Sequence, residues 1–202
     1  MITVITAVFG GYDDIRLPTE QTIDYEWLAI SGKTDLPPRL AAKQPKMMPW
    51  QYARSDIVIW IDAAAEITSP TFVADVVAEL GDAAIAQYPH RRNDIYLEAE
   101  VSLGMDKYAD QHEAIKRQVD YYRHQGHPAN WGLWQAGVIV YNSHKTNWAF
   151  GREWFNECRR FSHQDQISQP YLLRKYGITP VELHSGGLTW HPHNDAKTKT
   201  AP

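Results

Sequence analysis

The segment "DIVIWID", residues 56–62, constrains this chain more than any other. Its five central residues are all large and apolar, so a strand formed here has no polar face and must be covered on both sides. A run this short cannot span a bilayer. Related β-branched or apolar runs recur at "ITVITAV", "DYEWLAI", "AAIAQY", "QAGVIVYN" and "ITPVEL", with helix-forming stretches between several of them. That alternation predicts an α/β fold with a mainly parallel central sheet flanked by helices. The 202 residues fit one domain and can bury about 70% of the unfolded surface. The expected organisation is a single domain over residues 1–194 and a disordered tail over 195–202, ending "AKTKTAP".

Local signals refine this plan. The first strand breaks at Gly10-Gly11, where backbone can approach another group closely. Residues 36–54, "LPPRLAAKQPKMMPWQYAR", mix prolines with helix formers and predict short or kinked helices carrying Lys43 and Lys46. A clean helix is expected next, with Ser69 as N-cap, Pro70 at its first position and Gly81 at its exit. Further helices are expected over about 108–125, 146–161 and 165–175. Cys158, beside Trp154 and Phe155, reads as buried filler.

Composition excludes several classes. A net charge of −4 offers no long-range attraction to phosphate backbones or anionic membranes. One cysteine permits neither an internal disulfide nor a cysteine-rich zinc site. No apolar run is long enough to span a membrane, and "MITVITAVFGG" has no basic flank or cleavage signature, so a soluble, cytoplasmic protein is expected. The glycines form neither a G-x-G-x-x-G fingerprint nor a Walker-type phosphate loop.

In sheets of this kind ligands sit beyond the carboxyl ends of the strands. That places Gly10, Gly11 and Tyr12, Asp62 and His184 in one crevice, after the first, third and last expected strands. The ordered set "AVFGGYDD", "AAKQPKMMPWQY", "IWIDAAAEI", "QYPHRRNDIYLEAE" and "HQDQISQPYL" resembles a glycosyltransferase-like family, formerly a domain of unknown function, related to the GT-A sugar-nucleotide transferases. The likeness covers roughly residues 4–176. "QAGVIVYN" and "HSGGLTW" are similar to later GT-A segments, although Gln135 stands where those have Asn. The resemblance implies a nucleotide-binding sheet, a nucleotide-sugar donor and commonly a divalent cation; it implies no donor identity, and a UDP-sugar with Mn2+ or Mg2+ is the expectation.

Glycosyl transfer needs the leaving diphosphate neutralised and an oxocarbenium-like carbon met by a partner. Asp62, aimed off the end of "IVIWI", is the first metal-ligand candidate, with His184 as its partner; its competing role is a turn cap. The usual D-x-D would place a second acid at 64, where this chain has Ala64. A straight strand would put Asp62 and Glu66 about 13 Å apart, whereas a helical turn over 63–66 would bring them within about 6 Å. Glu66 and His191 therefore stand as reserve groups around the ion. The alternative is a metal-independent site in which cationic side chains replace it.

Lys43 and Lys46 are candidates for that charge work, against the competing account of two solvated lysines. Phe9 and Tyr12 could face a nucleotide base, with a core role the ordinary fate of Phe9. Arg91 could fork onto a diphosphate, or belong to a solvated ion-pair cluster. The likeness to GT-A relatives, where an acid at the comparable place contacts the donor sugar or serves as base, makes Asp165 the catalytic candidate, with Gln166 beside it at the donor; an N-cap is the alternative for Asp165. Trp131 and Trp134 could form a sugar platform, or pack in the core.

The expected activity is thus transfer of a sugar from a nucleotide sugar to an unidentified acceptor: a glycan, a protein or a nucleic acid. So small a chain leaves little room for an acceptor domain, and a second copy in a homo-oligomer could complete that site. Two rivals are a non-catalytic nucleotide-sugar or glycan-binding module, favoured by Ala64, and a metal-dependent nucleotide-sugar phosphohydrolase.

Overall fold

The computed structural model describes residues 1–194; the expected tail over 195–202 lies outside the described residues. In chain order the elements are β1 (Ile2–Val8), β2 (Glu26–Ser31), α1 (Pro38–Met47), β3 (Ile57–Ile61), β4 (Ala65–Ile67), α2 (Phe72–Leu80) and β5 (Ile85–Pro89). There follow α3 (Ile95–Leu103), α4 (His112–His124), β6 (Trp134–Asn142), α5 (Trp148–Arg160), α6 (Asp165–Lys175), β7 (Val181–Glu182) and β8 (Leu188–Trp190). Contacts group the chain into two compact units. The first comprises Met1–Gln87, Gly137–Thr146 and the segment from Pro180, the second Tyr88–Ala136 and Asn147–Thr179.

A six-stranded sheet runs β2-β1-β3-β6-β5-β7. β1 pairs in parallel with both β2 and β3, β5 pairs in parallel with β7, and β6 is antiparallel to β3. The expected mainly parallel sheet flanked by helices is therefore present. Its centre is dry: Val4, Ile5, Val58, Ile59, Ile139 and Val140 have no exposed surface. This is what continuous apolar strands require when both faces are covered.

One local expectation changes and two further elements appear. First, α2 starts at Phe72 rather than Pro70, and its N-cap position is Thr71, without a side-chain cap of its own. The amide of Val73 instead donates to Gln21 Oε1 at 3.0 Å. The long segment after β1 lies along this turn, its Thr19 and Thr22 amides donating to Ile67 O and Pro70 O at 2.9 and 2.8 Å. A tertiary cap has replaced the local one. Second, the acidic run "NDIYLEAE" is helix α3, started by Asp94, whose Oδ1 accepts from the amides of Tyr96 and Leu97 at 2.6 and 3.2 Å. Third, β4 and β8 form a separate two-stranded antiparallel sheet, Glu66 standing opposite Thr189. Three residues per strand are too few for a pattern to be visible beforehand.

In the second unit, Ile95, Ile115, Tyr122, Leu133 and Ile167 form one buried cluster. Cys158 is buried as expected. Among the described residues no helix is long and apolar enough to cross a membrane.

Candidate functional site

In the first unit, the pairing of Ile5 with Trp60 brings the ends of β1 and β3 side by side. The Gly10-Gly11-Tyr12 turn and Asp62 therefore leave adjacent strands on the same edge. Both glycines have positive φ, 67° and 68°, a region that side chains disfavour. At Gly10 there is a second reason: a Cβ would lie 2.8 Å from Pro38 Cγ, at the start of α1. The close approach expected of Gly10 is thus made by Pro38. Phe9 and Tyr12 are half-buried. The Tyr12 ring lies 4.5 Å from that of His193 and 5.5 Å from the Arg39 guanidinium carbon.

α1 delivers Lys46 in its last turn, where a cation complements the helix dipole. Lys46 is only 5% exposed, so the solvated-lysine account fails for it. Its Nζ lies 3.4 Å from Asp62 Oδ1 and 5.9 Å from the centre of the Trp60 ring. Lys43 is half-buried. Asp62 and Trp60, two apart on the strand, share a face. The indole Nε1 donates to the same Oδ1 at 2.7 Å, while Oδ2 receives no hydrogen bond from the described residues.

The chain then turns sharply, with the Ala65 amide donating to Asp62 O at 2.8 Å. This is a single β-turn entering β4, not the helical turn that would have drawn Glu66 to Asp62. Glu66 instead bonds His191, Oε2 to Nε2, at 2.7 Å. The turn also explains the missing acid. Ala63, Ala64 and Ala65 are all buried, Ala64 at 4% exposure, and Ala64 O accepts the His191 amide at 2.8 Å. A carboxylate at 64 would be stripped of water without a partner.

His184 follows β7, which β6 and β5 separate from β3 in the sheet order. His184 is exposed, and its amide donates to Glu79 Oε2 at 3.0 Å. The imidazole that reaches the Asp62 turn is His191. Among the described residues, no group of three His, Cys, Asp or Glu side chains could hold a metal ion.

The segment carrying His191 borders this turn throughout. His193 Nδ1 bonds Asp13 Oδ1 at 2.9 Å, the Asn194 amide donates to Tyr12 O at 3.0 Å, and Asn194 Nδ2 donates to Asp14 Oδ2 at 3.1 Å. His193 is exposed and held by this bond to Asp13. Arg16 Nη1 donates to Ala63 O at 3.0 Å from the same side. The sequence reading missed Trp190, which is 52% exposed and pairs with Ala65 in the β4–β8 sheet. Its ring rests against Gly137, where an added Cβ would meet Cη2 at 2.4 Å, and Gly137 O accepts the Asp62 amide at 2.8 Å. An exposed tryptophan fixed beside a carboxylate is suited to stacking on a sugar. Gly137→Ala is therefore expected to displace Trp190, shifting its fluorescence to longer wavelength and costing about 1–3 kcal/mol in a denaturant melt.

In the second unit, Asp165 opens α6 at 5% exposure. The N-cap is Gln164, so Asp165 is not the helix cap. Its backbone oxygen accepts from Trp154 Nε1 at 3.1 Å and Ser168 Oγ at 3.2 Å. Gln166 Nε2 donates to Trp134 O at 3.2 Å. Trp131 and Trp134 meet edge to face at 5.8 Å, but the Trp134 ring fills the space that a Cβ on Gly132 would take, and it is 8% exposed. Trp134 is thus a core residue; Trp131 is half-buried. Arg91 is exposed, whereas its neighbour Arg92 bonds the buried Glu98 through Nε at 2.5 Å.

The family model described as the TOD1/MUCI70 glycosyltransferase-like domain matches residues 32–184. Among solved structures, the chain is similar to the apo bifunctional glycosyltransferase WbbM, with a TM-score of 0.51 and 12% identity over 90% of this chain. That likeness speaks for the fold, and the chain spans only 38% of the WbbM structure. No curated protein matches. With most of its length matched and its sheet of the same kind, the chain belongs to the TOD1/MUCI70 glycosyltransferase-like family.

Proposed function

We propose that the chain transfers a sugar from a nucleotide-sugar donor, with a UDP-sugar favoured, to a glycan, protein or nucleic-acid acceptor. The observation that carries this reading is Asp62: a carboxylate at a parallel strand end, oriented through Oδ1 by Trp60 and Lys46, with Oδ2 turned to no described partner. The Gly11-Tyr12 turn on the adjacent strand offers backbone amides and a ring beside it, the requirements of a diphosphate and a base.

The residues fit a divalent cation in one particular form. Mg2+ is commonly held by one or two carboxylates together with substrate phosphates, and one carboxylate is what this site supplies. Asp62 Oδ2 would hold the ion, with the donor diphosphate completing its shell. Glu66 and His191, bonded to each other, fix the turn that carries Asp62. When bound, the cation neutralises charge on the departing diphosphate. Lys46 adds fixed positive charge within reach of Asp62, Trp190 is the proposed sugar platform, and Asp165 is the proposed general base in the second unit.

Thermal-shift measurements with UDP-, GDP-, ADP- and CMP-sugars, with Mn2+, Mg2+ or chelator, test this reading. A donor at a hundredfold excess over its dissociation constant should stabilise the fold by about 2.7 kcal/mol. A shift that disappears with chelator supports the cation on Asp62. One that ignores chelator assigns the charge work to Lys46 and its neighbours. The absence of any shift defeats the donor site. A second reading, a module that binds but does not transfer, draws support from the buried Ala64 and the lack of a three-ligand cluster among the described residues. Metal-dependent release of nucleoside diphosphate would exclude it.

A further inference from the structure

The segment that follows β1 inverts the usual division between surface and interior. Ile15 and Leu17 are 38% and 74% exposed, while Arg16 between them is half-buried. Charged groups ordinarily stay in water and their apolar neighbours leave it. The segment is held in this setting on both sides of Arg16, Asp13 and Asp14 by His193 and Asn194, and the Thr19 amide by Ile67 O. Such conflicts between local preference and fold concentrate at functional sites.

Arg16 turns inward to the Asp62 turn without meeting an acid there. Its Nη1 donates to Asp14 O at 3.2 Å and to Ala63 O, the carbonyl next in chain to Asp62, at 3.0 Å. Those two bonds account for both N–H groups of Nη1. Nε and Nη2 donate to no described residue. Their parallel N–H groups form the edge of a guanidinium that can hold two oxygens of a phosphate at once.

The carboxylates around the turn have other partners. Asp13 bonds His193, Asp14 Oδ2 accepts from Asn194, Glu66 bonds His191, and Asp62 pairs with Lys46. Lys46 is thus compensated by Asp62, whereas the Arg16 charge faces neutral carbonyls. A half-buried cation without a counter-ion costs desolvation free energy that an anionic ligand can recover. Because Nη1 is fixed to the backbone of two loops, little side-chain freedom is left to lose on binding.

The geometry points to Arg16 as a residue that holds the donor's diphosphate, through Nε and Nη2, beside the Asp62 turn. This assignment rests on the transferase reading and adds to it a cation that no acid has neutralised. As the bond between the anomeric carbon and the β-phosphate oxygen breaks, its electron pair stays on that oxygen. The diphosphate gains a negative charge, and a forked cation stabilises it. The competing role is a structural tie between the two loops, which Nη1 makes alone and which needs no charge.

Isothermal titration of the full chain with UDP, GDP, ADP and inorganic pyrophosphate, in the presence of Mg2+, separates the two. Arg16→Gln keeps an amide for the carbonyl tie and removes both the charge and the free edge. It should weaken the best-bound diphosphate on the order of 10- to 100-fold, the range for lost charge-assisted hydrogen bonds, and leave the melting temperature unchanged. Arg16→Lys, which keeps the charge without the fork, should lie between Arg16→Gln and wild type. If Arg16→Gln does not fold, Arg16→Lys decides, and wild-type affinity there overturns the assignment. Diphosphate affinity that survives Arg16→Gln overturns it too, and leaves the donor site standing. Absence of diphosphate binding in the wild type defeats the donor site itself and, with it, the role of Arg16.

Discussion

On the proposed reading, donor turnover should fall by on the order of 10²- to 10³-fold in Asp62→Ala, because several kcal/mol of charge stabilisation on the leaving diphosphate would be lost. The change should fall on kcat, measured as nucleoside diphosphate released, since neutralisation matters most as the bond breaks. Stability should change much less. The Asp62 side chain is 38% exposed, so solvent screens its pairing with Lys46 and the ion pair contributes at most about 1 kcal/mol. Circular dichroism melts should therefore remain within a few degrees of wild type. Asp62→Asn keeps an acceptor for the Trp60 indole and removes the charge. It should be nearly as inactive as Asp62→Ala if charge is what the site requires. A transferase that retains full turnover in both variants would remove Asp62 from the mechanism.

Glu98→Ala destabilises the second unit by about 3–5 kcal/mol, the loss expected when one partner of a buried ion pair is removed. Glu98 is 2% exposed. Its Oε2 accepts from Arg92 at 2.5 Å, and its Oε1 accepts from Gln164 Nε2 at 3.0 Å, which also reaches Ser102 Oγ at 3.2 Å. Truncation leaves a guanidinium and an amide facing a void. Removing both charged ends in Glu98→Leu with Arg92→Met should recover much of the loss, since a well-packed apolar pair can replace a buried ion pair. Chemical denaturation of the single and double variants measures this directly. If Glu98→Ala melts like wild type, the pair contributes nothing to stability.

The sheet could be anticipated because its strands carry their burial in their composition. "IVIWI" can only be a strand covered twice, and the residue after it must stand at a strand end. Lys46 was harder to place: in sequence it is one lysine among prolines and methionines, and only the packing of α1 on the sheet buries it. Residues 63–66 form neither of the two alternatives, a straight strand or a helical turn: alanine favours helix in isolation, whereas here its small size allows a buried β-turn. His184 and His191 are only seven residues apart, and what separates them is the sheet edge on one side and a three-residue pairing with β4 on the other. Trp190 could have been suspected from an aromatic within a histidine-rich segment, but its exposure depends on Gly137, a residue with no side chain to signal it. Arg92 and Glu98 gave a charge cluster whose burial no spacing rule reveals.

The contacts around the Asp62 turn also set an order of events. Glu66 meets His191 across 125 residues, and Asp13 meets His193 across 180. Contacts so distant in sequence carry the largest loop-closure entropy and form late. During synthesis, β1 through β3 can emerge and associate while the border of the crevice is still untranslated. A nascent chain therefore passes through a stage in which β1 to β3 are made while His191 and His193, which border the Asp62 turn, are not.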